Sequence, residues 1–233
     1  KVEAASAQSL SLSYISKDLE EGFPGNLSVK MTYTLSDDNE LGISYEATTD
    51  KATVLNLSNH SYFNLSGNAK RDILNQEVQI EASRLVAVNK VLIPTGELTP
   101  VKGTPFDFTK PHVVGDRIND TSSEQIVLGG GYDHCWVLDK PAGSYAKIAT
   151  VVEPVSGRKM VVSTDQPGVQ FYTGNFLDGH LIDKYGAKIT KRHGLCLETE
   201  HFPDSPNQPA FPTTVLRPGE VYKTKTAYQF SVN

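Results

Sequence analysis

A period of two governs this chain. Leu27, Val29, Met31, Tyr33 and Leu35 alternate with small or polar residues without a break. Leu41, Ile43, Tyr45 and Ala47 do the same after the turn-like SDDNE, and Tyr222, Thr224, Thr226, Tyr228, Phe230 and Val232 share one parity near the C-terminus. Successive side chains of a strand point to opposite faces, so this pattern predicts strands with one buried and one polar face. Shorter strands are expected at Leu10 to Ile15, Thr53 to Leu57, Val78 to Ala82, Lys147 to Val152, Lys159 to Ser163, Val169 to Tyr172 and Gly194 to Thr199. Turn signals stand between them: FPGN at 23, PTGE at 94, SGRK at 156 and RPGE at 217. No long amphipathic helix is expected, only short turns near Ile73 to Asn75 and Ile118 to Ser123. Closely spaced strands with Gly/Pro turns predict an all-β, large antiparallel sandwich or barrel. No linker or repeat divides it, so residues 1–233 are read as one β domain.

Composition narrows the partners. Twenty-two basic against 27 acidic residues give a net charge of −5. Nucleic acids and anionic membranes call for a basic face, and neither is expected as a partner. No apolar stretch is long enough for a membrane span. Cys135 and Cys196 each sit in an apolar run (HCWVL and LCLE), where buried free thiols are expected. Free thiols and the acidic balance favour the cytoplasm. The first residue is Lys1, without an initiator Met or a signal-peptide pattern, so the chain is expected to begin inside a longer protein or after a processing site.

Four segments are dense in polar and aromatic residues. NLSNHSYFNLSG, from Asn56 to Gly67, ends a strand in Asn, His and Tyr. Such a set offers donors, acceptors and a stacking face, which suits a neutral polyol; the competing expectation is a loop whose Asn side chains cap turns. GGGYDHCWVLD, from Gly129 to Asp139, is neither a phosphate loop nor a dinucleotide fingerprint, because it lacks Gly-Lys-Ser/Thr and the spaced glycines. A glycine turn with a capping Asp133 explains it equally well. TDQPGVQFYTGNFLDG combines Gln166, Gln170, Phe171, Tyr172 and Asn175, again suited to hydroxyl recognition. Alternation sends Gln170 to the face opposite Val169; an edge strand with a polar outer face reads the same way. In HGLCLETEHFPDSPNQPAFP, Glu198 shares a face with Cys196, opposite Leu195 and Leu197. A carboxylate so placed is partly buried and needs a partner or a task. His193, Glu198, Glu200 and His201 lack the HExxH spacing of zinc hydrolases, so no metal is expected. The Asn-x-Ser/Thr matches at Asn26, Asn56, Asn59, Asn64 and Asn119 are read as accidental.

Together, NHSYFNL, GYDH, QPGVQFYTGNF and LETEHFPDSPNQPAFP, with EGFPGNL and LRPGEVY, resemble the signatures of the galactose mutarotase (aldose 1-epimerase) family in order and spacing. The resemblance implies an antiparallel β-sandwich of the galactose mutarotase type, with an open cleft across strand ends. It implies interconversion of the α and β anomers of free aldohexoses such as galactose or glucose, with no metal or organic cofactor. By matching motifs, His60 is the general acid and Glu198 the general base. Asp133 and Gln170 hydrogen-bond sugar hydroxyls, and Phe171 and Tyr172 line or support the cleft. Relatives carry a longer N-terminal stretch with an Arg in a GRxxNR-like motif and a His in an LHGG-like motif. Neither is found here, so the chain is expected to be the C-terminal two-thirds of the family fold. A missing segment or partner chain would then complete it, and the absent strands would leave unpaired sheet edges.

A non-catalytic sugar-binding domain or inactive fragment is the alternative. A hexose-6-phosphate epimerase needs a basic phosphate pocket, toward which the signature segments offer little beyond Lys191 and Arg192. A glycoside hydrolase needs two carboxylates flanking the bond and would leave His60 without a duty.

Overall fold

The computed structural model describes residues 1–67 and 71–232. Its strands, in chain order, are β1 Val2–Ala5, β2 Ser9–Ser16, β3 Leu27–Leu35, β4 Glu40–Thr49, β5 Thr53–Val54, β6 Glu77–Ile80, β7 Ala82–Val88, β8 Pro94–Pro100 and β9 His112–Val113. They continue with β10 Asp133–Leu138, β11 Ala146–Val152, β12 Arg158–Thr164, β13 Gly168–Tyr172, β14 Asp178–Ile182, β15 Lys188–Thr190, β16 Cys196–Glu200, β17 Val215–Leu216 and β18 Tyr222–Val232. A nine-stranded sheet runs β1-β2-β3-β4-β18-β12-β11-β6-β9, and a five-stranded sheet runs β16-β13-β10-β7-β8. The pairings within both are antiparallel.

The two sheets face each other across one apolar layer. Val78, Ile80, Met160, Val162 and Tyr228 from the larger sheet pack with Leu85, Trp136, Val169, Phe171 and Leu197 from the smaller. Tyr228 Oη donates to the Leu197 carbonyl at 2.9 Å, and Thr199 and Thr226 share a hydroxyl hydrogen bond at 2.5 Å. Alternation then fixes the other face of the five-stranded sheet. Cys196, Glu198 and Glu200 of β16, Gln170 and Tyr172 of β13, and Asp133 and Cys135 of β10 all point away from the core. Val86, Cys135, Val137, Phe202 and Phe211 form a second apolar cluster that covers part of this outer face.

One turn signal falls elsewhere than expected. PTGE at 94, read as a turn, lies inside β8, and the turn sits one step earlier at 89–93. Gly96 takes φ +91 where the β7–β8 register shifts between Val86 and Val88, so the glycine serves a bulge rather than a reversal. The short turns expected near 118–123 are present, with Asp120 N–H donating to the Arg117 carbonyl and Ser123 N–H to the Asp120 carbonyl, and they lead into α1 Glu124–Gly129, closed by Gly130 in the left-handed region. No helix among the described residues is long and apolar enough to cross a membrane.

Candidate active site

The β13–β16 and β10–β13 registers assemble the outer face. Gln170 lies opposite Glu198, and Tyr172 lies opposite both Cys196 and Asp133. Gln170 Nε2 donates to Asp133 Oδ1 at 2.9 Å, while its Oε1 is buried without a protein partner. His60 reaches the same face from outside the sheet. Residues 56–63 run alongside β16 as an irregular strand. Phe63 and Leu195 exchange backbone hydrogen bonds at 2.8 and 2.9 Å. Farther along, side chains replace the ladder. Asn56 gives Nδ2–H to the His201 carbonyl and accepts the His201 N–H, at 2.9 and 3.0 Å, and Ser58 Oγ donates to the Thr199 carbonyl at 3.2 Å. These clips cover the β16 edge and hold His60 beside Glu198, with Nε2 at 3.5 Å from Oε1. The His60 side chain is 53% exposed and the Glu198 side chain 13%.

Burial pushes the Glu198 carboxyl up to about 7; His60 pulls it down and Asp133 pushes it up. Burial also raises Asp133, against the Gln170 hydrogen bond and the charge of His60, which lower it. A carboxylate titrating near neutrality beside an imidazole is suited to exchanging protons. Around the pair stand aromatic rings: Tyr62 at 5.1 Å and Tyr172 at 6.0 Å from the His60 ring, with Phe176 stacked on Tyr172 at 6.3 Å. Tyr62 and Phe176 are largely exposed and offer apolar faces to a ligand. Asp133, Gln170, Cys135 and Pro203 also line a cavity of about 80 Å³.

His60, Glu198, Asp133 and Gln170 thus come together on one face. Other singled-out residues do not join them. Phe171 is fully buried in the inter-sheet core, because it has the parity of Val169; it supports the site from behind and lines nothing. Tyr172, one residue on, faces the site. His134 is likewise on the core side, edge-on to Phe106, and burial lowers its pKa to about 4. The asparagines of the first segment are occupied by the backbone: Asn56 as above, Asn59 by the Ser61 N–H, and Asn64 by the carbonyls of Arg71 and His193. Asn175 donates to the carbonyls of Gly129 and Tyr132, while its Oδ1 accepts from Arg192. Arg192 is buried and also donates to the Gly130 carbonyl at 2.8 Å. It pins the glycine turn ahead of Asp133 and has no surface to offer a phosphate.

Cys196 was expected only as a buried thiol, yet its Sγ lies 3.4 Å from His60 Nδ1. Its shared parity with Glu198 was visible in the sequence; its contact with a residue 136 positions earlier was not. His60, Cys196 and Glu198 also form the one metal-compatible donor group among the described residues, and His193 and His201 take no part in it.

The aldose 1-epimerase family profile matches residues 1–229. The chain is 50% identical over 222 residues to the human galactose mutarotase, covering 94% of this chain and 62% of that protein. It is 39% identical to the aldose 1-epimerase of Escherichia coli (strain K12), covering 92% and 62%. Among solved structures it superposes on an aldose epimerase homologue from C. elegans with a TM-score of 0.87 at 27% identity, covering 100% of this chain and 68% of the other. A galactose 1-epimerase from Lactobacillus acidophilus NCFM gives 0.81 at 25% identity, covering 99% and 65%. The chain belongs to the aldose 1-epimerase family. It spans 62% of the length of the human and bacterial relatives, and these matches do not carry the narrower reading of it as the C-terminal two-thirds.

Proposed function

We propose that this chain carries the acid–base pair of an aldose 1-epimerase acting on free aldohexoses, with Glu198 as base and His60 as acid. The observation that carries this reading is the Glu198–His60 pair on the outer sheet face beside the Asp133–Gln170 hydrogen bond. Mutarotation takes a proton from the C1 hydroxyl and gives one to the ring oxygen. The C1–ring-oxygen bond breaks, the aldehyde turns about C1–C2, and the ring recloses on its other face. Hydroxyl and ring oxygen share one carbon, so acid and base must stand close together. Half-exposed His60 has room to swing and admit the ring. Reclosure reverses both transfers and consumes no net proton.

Asp133 and the unpaired Gln170 Oε1 suit hydroxyl donors of the sugar, and Tyr62, Tyr172 and Phe176 suit its C–H faces. The two free thiols fit a cytoplasmic setting, where thiols stay reduced. The test is polarimetry on freshly dissolved α-D-galactose or α-D-glucose. Acceleration above the spontaneous rate is expected, and Glu198→Gln or His60→Ala should lower kcat by about 10²–10⁴ while circular dichroism stays unchanged. Full activity in folded Glu198→Gln would overturn the assignment. A folded wild-type chain that binds sugar without accelerating mutarotation would mark it as a binding domain.

A further inference from the structure

Cys196 has no duty in the reaction above, yet it sits against both proton-transfer groups. We propose that His60, Cys196 and Glu198 form a three-donor site for a thiophilic divalent cation of the Zn²⁺ class, whose binding blocks the acid–base pair.

The geometry carries the argument. One ligand atom from each residue lies within 4.8 Å of the other two. Cys196 Sγ is 3.4 Å from His60 Nδ1, and Glu198 Oε1 is 3.5 Å from Nε2. The two short contacts run to opposite nitrogens of the His60 ring, and zinc bonds of about 2.0–2.3 Å in a tetrahedron set neighbouring donors about 3.5 Å apart, so the ring must turn and the three donors close in from within 4.8 Å to hold one ion. Cys196 and Glu198 share one face of β16 and are held by its pairing with β13. The half-exposed His60 ring has room to turn and present either nitrogen. The fourth position opens onto the cleft, where a water or a sugar hydroxyl completes the set.

Donor chemistry sets the selectivity. A thiolate with an imidazole suits Zn²⁺, whereas Mg²⁺ and Ca²⁺ prefer all-oxygen sites. Coordination forms the metal–sulfur bond as the thiol proton leaves to solvent, and no electron is transferred. The cation also offsets the clustered charge of Glu198 and Asp133. It is an inhibitor rather than a cofactor, because it engages the base carboxylate and the acid imidazole together. Only this inhibitory consequence rests on the proposed mutarotase reading; the binding does not.

The test therefore reads binding directly. The chain is titrated calorimetrically with Zn²⁺, and separately with Co²⁺ as an optical probe. One high-affinity ion per chain and a near-ultraviolet thiolate-to-cobalt absorption are expected. Cys196→Ser should remove that absorption and weaken Zn²⁺ binding by about tenfold or more, whereas Cys135→Ser should keep both. Glu198→Gln should weaken binding and retain the absorption. In polarimetry, Zn²⁺ should inhibit and EDTA should restore the rate. Absence of the cobalt absorption in folded wild type, or unchanged Zn²⁺ affinity in Cys196→Ser, would overturn the proposal whether or not the chain catalyses mutarotation. Should Cys196→Ser fail to fold, the wild-type absorption and the Glu198→Gln affinity decide the question by the same criteria.

Discussion

Glu198 meets three influences: a dry setting, the His60 imidazole at 3.5 Å and the charge of Asp133 two strands away. Burial and Asp133 raise its pKa, His60 lowers it, and the balance stands at about 7. As the proposed base, Glu198 is competent only when ionised, so kcat/KM should fall with unit slope as pH drops below about 7. Asp133→Asn removes the charge that helps hold Glu198 protonated. The acid limb should therefore move to lower pH, with KM for the sugar raised, as read from a pH–rate profile. An unmoved limb would mean that the two carboxylates do not feel each other.

Strand β16 carries the site's chemistry because its parity separates tasks. Leu197 and Thr199 face the core, while Cys196, Glu198 and Glu200 face outward. The Glu200 carboxylate has no hydrogen-bond partner among the described residues and feels the charge of Glu198. Burial, and then the Glu198 charge, push it up to about 8. Its folded-state pKa thus exceeds the value of about 4.5 that the carboxyl has in the unfolded chain, so the native state holds a proton that the unfolded chain releases. Stability from this group is full below about 4.5 and is lost as pH rises through about 8. Glu200→Gln mimics the protonated form. It should stabilise the protein by about 1–3 kcal/mol at pH values near 9 and leave it nearly unchanged near pH 4, by urea unfolding. An equal effect at both ends would assign the gain to packing instead.

At the scale of the molecule, the aromatic layer between the sheets decides how firmly the site face is held. Phe171 packs on Phe108, Tyr132 and Trp136 with ring centroids 5.6–5.8 Å apart, directly behind Gln170 and Tyr172. Phe171→Ala should cost about 3–5 kcal/mol. Trp136, the only tryptophan and fully buried, reports that loss through its fluorescence in a urea titration. A cost under about 1 kcal/mol would mean that the layer repacks and that the site face does not depend on it.

The sequence by itself determined the strand periods, and β3 runs from Leu27 to Leu35 as its alternation predicts. It also determined which side of β13 and β16 each residue takes, because side-chain direction in a strand alternates with parity alone. Gln170, Glu198 and Asp133 were legible for that reason and through their motifs. Parity does not say which face meets the partner sheet or what crosses the remaining one. Of the two duties open to Phe171, lining or supporting the cleft, only its place in the inter-sheet core selects support, and of the two readings of residues 56–64 the structure favours the one in which asparagines satisfy backbone groups. The bulge at Gly96 read as a turn because a glycine at positive φ serves either. Only the tertiary structure set His60 against Cys196 and Glu198, since that contact depends on where the 56–63 segment lies along the β16 edge. Long-range packing and a few side-chain clips fix that position, and no local pattern encodes it.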